Sequence, residues 1–176
     1  IITPWLPETL SKGDKLYISQ AQGEFLINTP EKKKLFIAAG SGITPILSML
    51  SANGSRTWIK RSTLLYYVRD KANLPFTDEL SRLKEKGVNV VIYDARLDGH
   101  FDKSQLSQHC PDPVGSEVYI CGPGGMIQSG QEILSQAGFK AADIHFEYFG
   151  PAPTQKKPKI DTEHDTDRIT IEYRSS

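Results

Sequence analysis

The sequence predicts an α/β fold, a doubly wound parallel sheet of five strands with helices on both faces. Short apolar runs alternate with amphipathic stretches along most of the chain. The clearest run, residues 35–39, leads through a turn containing Gly40 and Gly42 into apolar residues at helical spacing. Two further glycines, Gly87 and Gly138, stand where helix C-caps are expected. Strand–helix alternation of this kind builds a parallel sheet that is covered by helices.

Two extended segments precede this pattern, at residues 15–19 and 23–26. The pattern then predicts strands at 34–39, 63–69, 88–93, 117–121 and 144–148, and helices at 45–52, 77–86, 103–108 and 124–137. Ligands of such sheets lie beyond the carboxyl ends of the strands, where the strand order switches. We therefore expect the functional site at that edge.

The composition changes after residue 150. Residues 151–168 mix prolines with charges of both signs, which is typical of an inter-domain linker. Residues 169–173 then alternate like a strand. Because the chain also begins without methionine, we interpret it as a piece of a longer protein.

The composition excludes several functional classes. Acidic and basic residues balance at 21 each in 176 residues, which argues against a nucleic-acid surface or a polybasic membrane patch. No apolar run is long enough to cross a bilayer, and no signal peptide is visible. Cys110 and Cys121 are too few for a disulfide framework, so a cytoplasmic location is expected. The four histidines lack metal-ligand spacing with either cysteine, so no metal is expected.

The glycine turn carries the strongest site prediction. Residues 40–45 read Gly-Ser-Gly-Ile-Thr-Pro. The glycines permit a tight turn, and Pro45 suits the first turn of a helix. The N-terminus of that helix would direct N–H groups and a partial positive charge at a pyrophosphate. The alternative is an ordinary strand-to-helix turn, because the usual dinucleotide fingerprint has a third glycine at the position of Pro45.

Two more strands end in residues of interest. Cys121, Gly122 and Pro123 follow one another where a predicted strand meets the same edge of the sheet. Taken alone, such a cysteine is usually a buried small hydrophobic residue, and no adjoining basic residue predicts a lowered thiol pKa. The last strand carries Glu147 and Phe149 on one face, which by itself indicates only a packed edge strand.

Two arginines, Arg69 and Arg96, stand where predicted strands leave the sheet. Either could present its guanidinium to an anionic group of a ligand. The alternative is a solvated arginine paired with an acidic neighbour, which for Arg69 would be Asp70 or Asp78. Position alone favours that alternative.

Taken together, the motifs resemble the ferredoxin–NADP reductase superfamily of flavin-dependent NAD(P)H reductases. The resemblance rests, in order along the chain, on residues 40–45, on Tyr-Val-Arg at 67–69 with Phe-Thr-Asp-Glu-Leu at 76–80, on Cys-Gly-Pro at 121–123 and on Glu-Tyr-Phe at 147–149. It covers about residues 1 to 150.

The resemblance implies roles for these residues. The glycine turn would cradle the NAD(P) pyrophosphate, and Cys121 would line the hydride-transfer site with Ser41 and Thr44 in a positioning role. Glu147 matches an acidic residue near the flavin, and Phe149 matches the aromatic residue that covers the flavin ring. The expected catalytic residues are thus Cys121 and Glu147, and the expected cofactor-binding residues are Gly40, Ser41, Gly42, Ile43, Thr44, Pro45, Arg69, Arg96, Gly122, Pro123, Met126, Phe149, Thr3 and Gly23.

The resemblance also implies the domain organisation. Residues 1–29, with Thr3 and Gly23, look like the C-terminal part of an FAD-binding barrel, and residues 30–150 like the NAD(P)H-binding domain. The flavin motif Arg-x-Tyr-Ser would lie upstream, so this chain is expected to hold FAD poorly and to be inactive alone. After the linker at 151–168, residues 169–176 resemble the start of a ferredoxin domain, whose 2Fe–2S cysteines would follow.

The expected function is hydride transfer from NAD(P)H to FAD, with electrons passing on to a 2Fe–2S centre and an acceptor protein such as a ferredoxin domain or an oxygenase. The alternative is a non-catalytic module of the same fold that binds a nucleotide or a partner. The resemblance does not decide between NADH and NADPH as the nucleotide. NADPH-specific members carry Ser-Arg where this chain has Ala95 and Arg96, so one contact to a 2′-phosphate is retained.

Overall fold

The computed structural model describes residues 11, 14–18, 23–27, 29, 31–52, 57–113, 115–148 and 169–171. The chain divides into two compact units, one of Ile1–Glu24 with Lys156–Ser176 and one of Phe25–Gln155. The strands are β1 (Leu16–Ile18), β2 (Lys33–Ala39), β3 (Ser62–Val68), β4 (Asn89–Asp94), β5 (Ser116–Gly122), β6 (Ile144–Tyr148) and β7 (Ile169–Ile171). The α-helices are α1 (Ile43–Ala52), α2 (Thr77–Glu85), α3 (Lys103–His109) and α4 (Gly124–Gln136).

The larger unit contains a five-stranded parallel sheet in the order β4-β3-β2-β5-β6. The chain moves outward from β2 to β4 and then returns to place β5 on the other side of β2. The strand order therefore switches between β2 and β5, which is where such sheets open a crevice for ligands. The predicted doubly wound fold is confirmed.

Both faces of the sheet are covered, because successive side chains of a strand point to opposite sides. On one face Phe36 and Ala38 pack in a core with Leu50 of α1 and Leu80 of α2. On the other face the core contains apolar residues of the strands, of α3 and of α4: Leu35, Ile37, Leu65, Leu106, Ile127 and Leu134. This two-sided burial explains why β2 reads as an unbroken apolar run. Each fully buried Leu or Ile stabilises the fold by about 1.5–3 kcal/mol.

The predicted element boundaries agree with the structure to within about two residues, and the differences have local causes. Helix α1 begins at Ile43 rather than at residue 45, because the 3-10 turn Gly40–Gly42 runs directly into it. Strand β3 ends at Val68, so Arg69 lies just outside it. Gly87 and Gly138 adopt positive φ angles of 92° and 90° after α2 and α4, as expected for helix ends.

The smaller unit contains an antiparallel pair of strands, β1 and β7, with Tyr17 opposite Thr170. The sequence predicted a strand in each segment but not their pairing. Residues 23–27, of which 23–26 were predicted as an extended piece, form no strand. The assignment of residues 1–29 to a barrel and of residues 169–176 to a further domain stays a prediction, and the linker at 151–168 lies outside the described residues.

Among the helices of the described residues, none is long and apolar enough to span a membrane.

Candidate functional site

The glycine turn packs directly against the end of β5, across the point where the strand order switches. A Cβ atom on Gly42 would lie 2.1 Å from the carbonyl oxygen of Cys121 and 2.8 Å from the amide nitrogen of Gly122. Only glycine permits this approach. Gly40 adopts a φ of +54°, which glycine also favours, and the Tyr66 hydroxyl donates a hydrogen bond of 3.3 Å to its carbonyl oxygen. The turn is therefore held from both neighbouring strands.

Helix α1 begins at the end of this turn and points its N-terminus at the carboxyl edge of the sheet. Thr44 Oγ1 donates to the Ser41 carbonyl oxygen at 2.9 Å, and both side chains are exposed. No acidic residue occupies the first turn of α1. The partial positive charge of the helix N-terminus is thus not neutralised from within its own first turn, which suits an anionic ligand. Ile43 is fully buried, so only its backbone is available to a ligand.

Cys121 lies at the end of β5, fully buried between its register neighbours Ala38 of β2 and Glu147 of β6. Burial, with a smaller contribution from the negative charge of Glu147, raises the pKa of the Cys121 thiol to about 12. The thiol is therefore protonated at neutral pH, and a thiolate nucleophile is excluded there. Glu147 itself is half-buried on the outer strand of the sheet.

Gly122 and the start of α4 complete this side of the crevice. A Cβ on Gly122 would lie 2.8 Å from the Met126 methyl group and 3.2 Å from the Ala39 Cβ, so Met126 covers the end of the strand. Pro123 is exposed and is the N-cap residue of α4. Thr3 and Phe149 lie outside the described residues. Gly23 belongs to the smaller unit, with a φ of +133°.

An open cleft of about 370 Å³ lies on the other side of the glycine turn, beyond the ends of β2 and β3. Gly40 and Ser41 line it together with Arg69, Asp70 and Phe76. Phe76 has a φ of 61° and is 40% exposed. A non-glycine residue in this region is uncommon and marks a position that the surrounding structure holds in place.

The sequence did not assign four of the residues that line this cleft. Tyr66, Asn73, Pro75 and Phe76 line it, but their spacing indicated only a strand and a helix start. The left-handed backbone of Phe76 has no sequence signal, because an aromatic residue is not expected there.

The two arginines are placed differently. Arg69 is exposed, lines the cleft and makes no ion pair with any residue that the structure describes. Arg96 is paired with Asp94, at 3.4 Å from its Nε, and with Asp70, at 3.3 Å from its Nη2. The hydrogen bond to Asp94 raises the pKa of Arg96 and lowers that of Asp94. The alternative of a solvated, carboxylate-paired arginine therefore describes Arg96 and not Arg69.

Comparison with known proteins agrees with this geometry. The profile of the family described as the oxidoreductase NAD-binding domain matches residues 36–132, which is more than half of the chain. The matched segment begins in β2 and ends in α4, so it includes the glycine turn, the cleft and the Cys121 strand.

Two curated relatives share most of this chain. Flavohemoprotein A of Dictyostelium discoideum is 28% identical over 155 residues, which are 86% of this chain and 39% of the relative. The ferredoxin reductase component of the 3-ketosteroid-9-alpha-monooxygenase of Mycobacterium tuberculosis is 31% identical over 152 residues, which are 82% of this chain and 41% of the relative. The chain thus spans about two fifths of the length of these relatives.

A solved structure shows the same fold. The flavohem-like FAD/NAD binding domain of nitric oxide dioxygenase from Vibrio cholerae superposes with a TM-score of 0.60 at 28% sequence identity. The match covers 74% of this chain and 56% of that one.

Proposed function

This chain belongs to the oxidoreductase NAD-binding domain family, and we propose that it is the NAD(P)H-binding part of a flavin-dependent reductase. The observation that carries the proposal is the contact of the Gly40–Gly42 turn with the end of β5, directly before the N-terminus of α1. Such a turn brings bare backbone and a helix N-terminus together at a switch point, which is the arrangement that binds a pyrophosphate.

The anionic part of the dinucleotide would lie on this turn. Backbone N–H groups of the turn and of the first residues of α1 would donate to phosphate oxygens, and the helix dipole would favour their negative charge. Arg69 lines the adjoining cleft and could approach the same phosphates or the adenosine. The cleft volume of about 370 Å³ lies in the range of ordinary small-molecule sites.

The nicotinamide end would lie on the opposite side of the turn, near Cys121. The thiol is buried and protonated, so its role would be to hold the ring at a fixed distance from the hydride acceptor rather than to react. Ser41 and Thr44 would frame the ring, and the Glu147 carboxylate would lie close to the reacting groups. FAD, when bound, supplies the ring that accepts the hydride and passes electrons on singly.

The flavin and the final acceptor belong to the proposal alone. A relative named as a flavohemoprotein and another named as a ferredoxin reductase component support a flavin as the hydride acceptor. We place most FAD contacts in the barrel to which residues 1–29 would belong, with Thr3, Gly23 and Phe149 among the proposed cofactor-binding residues. Electrons would then reach a 2Fe–2S centre and an acceptor protein, the ferredoxin domain being one that begins near residue 169.

The test is the rate of flavin reduction in the whole protein, measured anaerobically after mixing with NADH and, separately, with NADPH. We expect the flavin absorbance to bleach with at least one of them. Bleaching with neither overturns the reductase proposal. Binding of a nucleotide without bleaching favours the non-catalytic module instead.

A further inference from the structure

We propose that this site selects NADH over NADPH, and that Asp70 is the specificity-determining residue. The inference rests on the proposed function, because it assumes that a nicotinamide dinucleotide occupies the cleft. It concerns the part of the cleft beyond the end of β3, where Asp70 lines the cleft and contacts Arg96.

Asp70 is firmly held where it lines the cleft. Its Oδ1 accepts a hydrogen bond from the Ala72 amide at 2.9 Å, and its Oδ2 accepts one from Asn73 Nδ2 at 3.0 Å. The guanidinium of Arg96 lies 3.3 Å from Oδ1. These contacts, the Ala72 hydrogen bond foremost, lower the pKa of Asp70 and keep it ionised. A ligand in the cleft therefore meets a fixed carboxylate.

The side chain of Arg96 is already paired with two carboxylates. Besides its pairing with Asp70, its Nε and Nη2 lie 3.4 Å from the two oxygens of Asp94, and its backbone amide donates to Asp94 Oδ1 at 3.0 Å. Asp94 is almost fully buried. A phosphate that captured the Arg96 guanidinium would leave the buried carboxylate of Asp94 with only the backbone amides of Arg96 and Lys71 as donors, which is costly.

The local charge points the same way. Asp70 and Asp94 share one cation, Arg96, whereas Asp98 has its own partner in Lys71 at 2.6 Å. A 2′-phosphate at this position would add close to two negative charges beside the Asp70 carboxylate. A ribose hydroxyl instead donates a hydrogen bond to a carboxylate.

The geometry of the cleft places the adenosine at this end. Gly40 and Ser41, the proposed pyrophosphate residues, follow β2 and line the cleft together with Val68 and Asp70, which lie at the end of the neighbouring strand β3. The opposite direction along the sheet edge leads to Cys121, where the nicotinamide is proposed to lie. The adenosine ribose therefore falls beside Asp70.

The experiment compares dissociation constants of NAD⁺ and NADP⁺ for the whole protein by equilibrium titration, since the oxidised nucleotides bind without electron transfer. We expect wild type to bind NAD⁺ at least about tenfold more tightly than NADP⁺. Asp70→Asn is expected to reduce the ratio of the two dissociation constants by about tenfold, which corresponds to roughly 1.4 kcal/mol. Asn keeps an oxygen for the Ala72 amide; Asp70→Ser is a second variant that also keeps an acceptor without the charge.

Two further variants sharpen the comparison. Asp98→Asn removes one charge from the same cluster outside the cleft and is expected to leave the ratio unchanged. Arg69→Ala is expected to weaken both nucleotides alike.

Three results would overturn the selection of NADH by Asp70: tighter binding of NADP⁺ by wild type, an unchanged ratio in both Asp70 variants, or a loss of NADP⁺ binding alone in Arg69→Ala. Binding of neither nucleotide by wild type overturns the proposed function itself.

Discussion

Gly42 lies against the backbone of Cys121 so closely that a Cβ on residue 42 would meet the Cys121 carbonyl oxygen at 2.1 Å. The atoms that block it belong to the main chain of a central strand, so they cannot turn aside as a flexible side chain can. This contact joins the glycine turn after β2 to the end of β5 and fixes the two halves of the proposed nucleotide site relative to each other.

Gly42→Ala is expected to displace the glycine turn. The shift of backbone should cost about 1–3 kcal/mol of unfolding free energy and slow flavin reduction by about a hundredfold, because misplacement near 1 Å has that effect on a bound substrate. Urea unfolding and anaerobic stopped-flow absorbance measure the two effects. Gly125→Ala is the matched control, since a Cβ there meets nothing within 4 Å. Equal behaviour of the two variants would contradict the packing argument.

Cys121→Ala is expected to slow hydride transfer much more than it weakens nucleotide binding. Removing the buried thiol leaves a gap beside the proposed nicotinamide position, which affects alignment rather than the remote phosphate contacts. Single-turnover flavin reduction gives the rate, and equilibrium titration with NAD⁺ gives the affinity. Cys110→Ala serves as the control, because Cys110 is not among the proposed site residues. Parallel losses of rate and affinity in Cys121→Ala would rule out the positioning role.

The buried thiol of Cys121 also predicts a pH dependence of stability. Its pKa rises from an ordinary value of 9.0 to about 12 on folding. The unfolded chain therefore loses this proton first, so the contribution to stability is complete below pH 9 and is lost as pH rises towards 12. The stability advantage of wild type over Cys121→Ala should shrink by up to about 1.4 kcal/mol per pH unit in that window. Unfolding free energies at about pH 8 and pH 10.5 measure it; a constant advantage contradicts the prediction.

A buried ion pair near the amino ends of β2 and β5 predicts a non-additive effect of mutations on the free energy of unfolding. Lys34 Nζ lies 2.9 Å from Glu117 Oε2, and both side chains are at least 97% buried, with exposures of 0% and 3%. Burial lowers the pKa of Lys34. Glu117→Gln should cost about 3–5 kcal/mol of unfolding free energy, because it leaves the lysine charge buried and unpaired, whereas Lys34→Met with Glu117→Leu should cost far less. A double-mutant cycle of Lys34→Met, Glu117→Leu and the two together, measured by urea unfolding, tests this. Additive single effects would count against a coupled pair.

The elements of the sheet could be predicted because their signals are local. Alternating apolar runs and helical spacing indicate which side of an element is buried, and Gly87 and Gly138 indicate where helices end. The glycine turn and Cys121 could be placed at one edge because parallel strands all end on the same side. The sequence pattern predicts the start of α1 two residues too late, because the tight turn continues into the helix without a separate sequence signal.

The cleft and the state of Arg96 could not be predicted in the same way. Phe76 lines the cleft with its backbone at a φ of 61°, a conformation that its residue type does not predict. Arg96 and Asp70 are 26 positions apart, and their pairing depends on β3 and β4 being neighbours with their ends in register.

The sequence by itself determined the alternation of strands and helices, the glycine turn and the family resemblance. These depend on burial patterns and backbone requirements, which are visible in consecutive residues. Tertiary structure decided which atoms face one another across the turn. It brought Gly42 against Cys121, left Arg69 lining the cleft and paired Arg96 with two carboxylates. The reason is physical: electrostatic and packing partners are set by distance in space, and the strand order that sets those distances joins segments far apart along the chain.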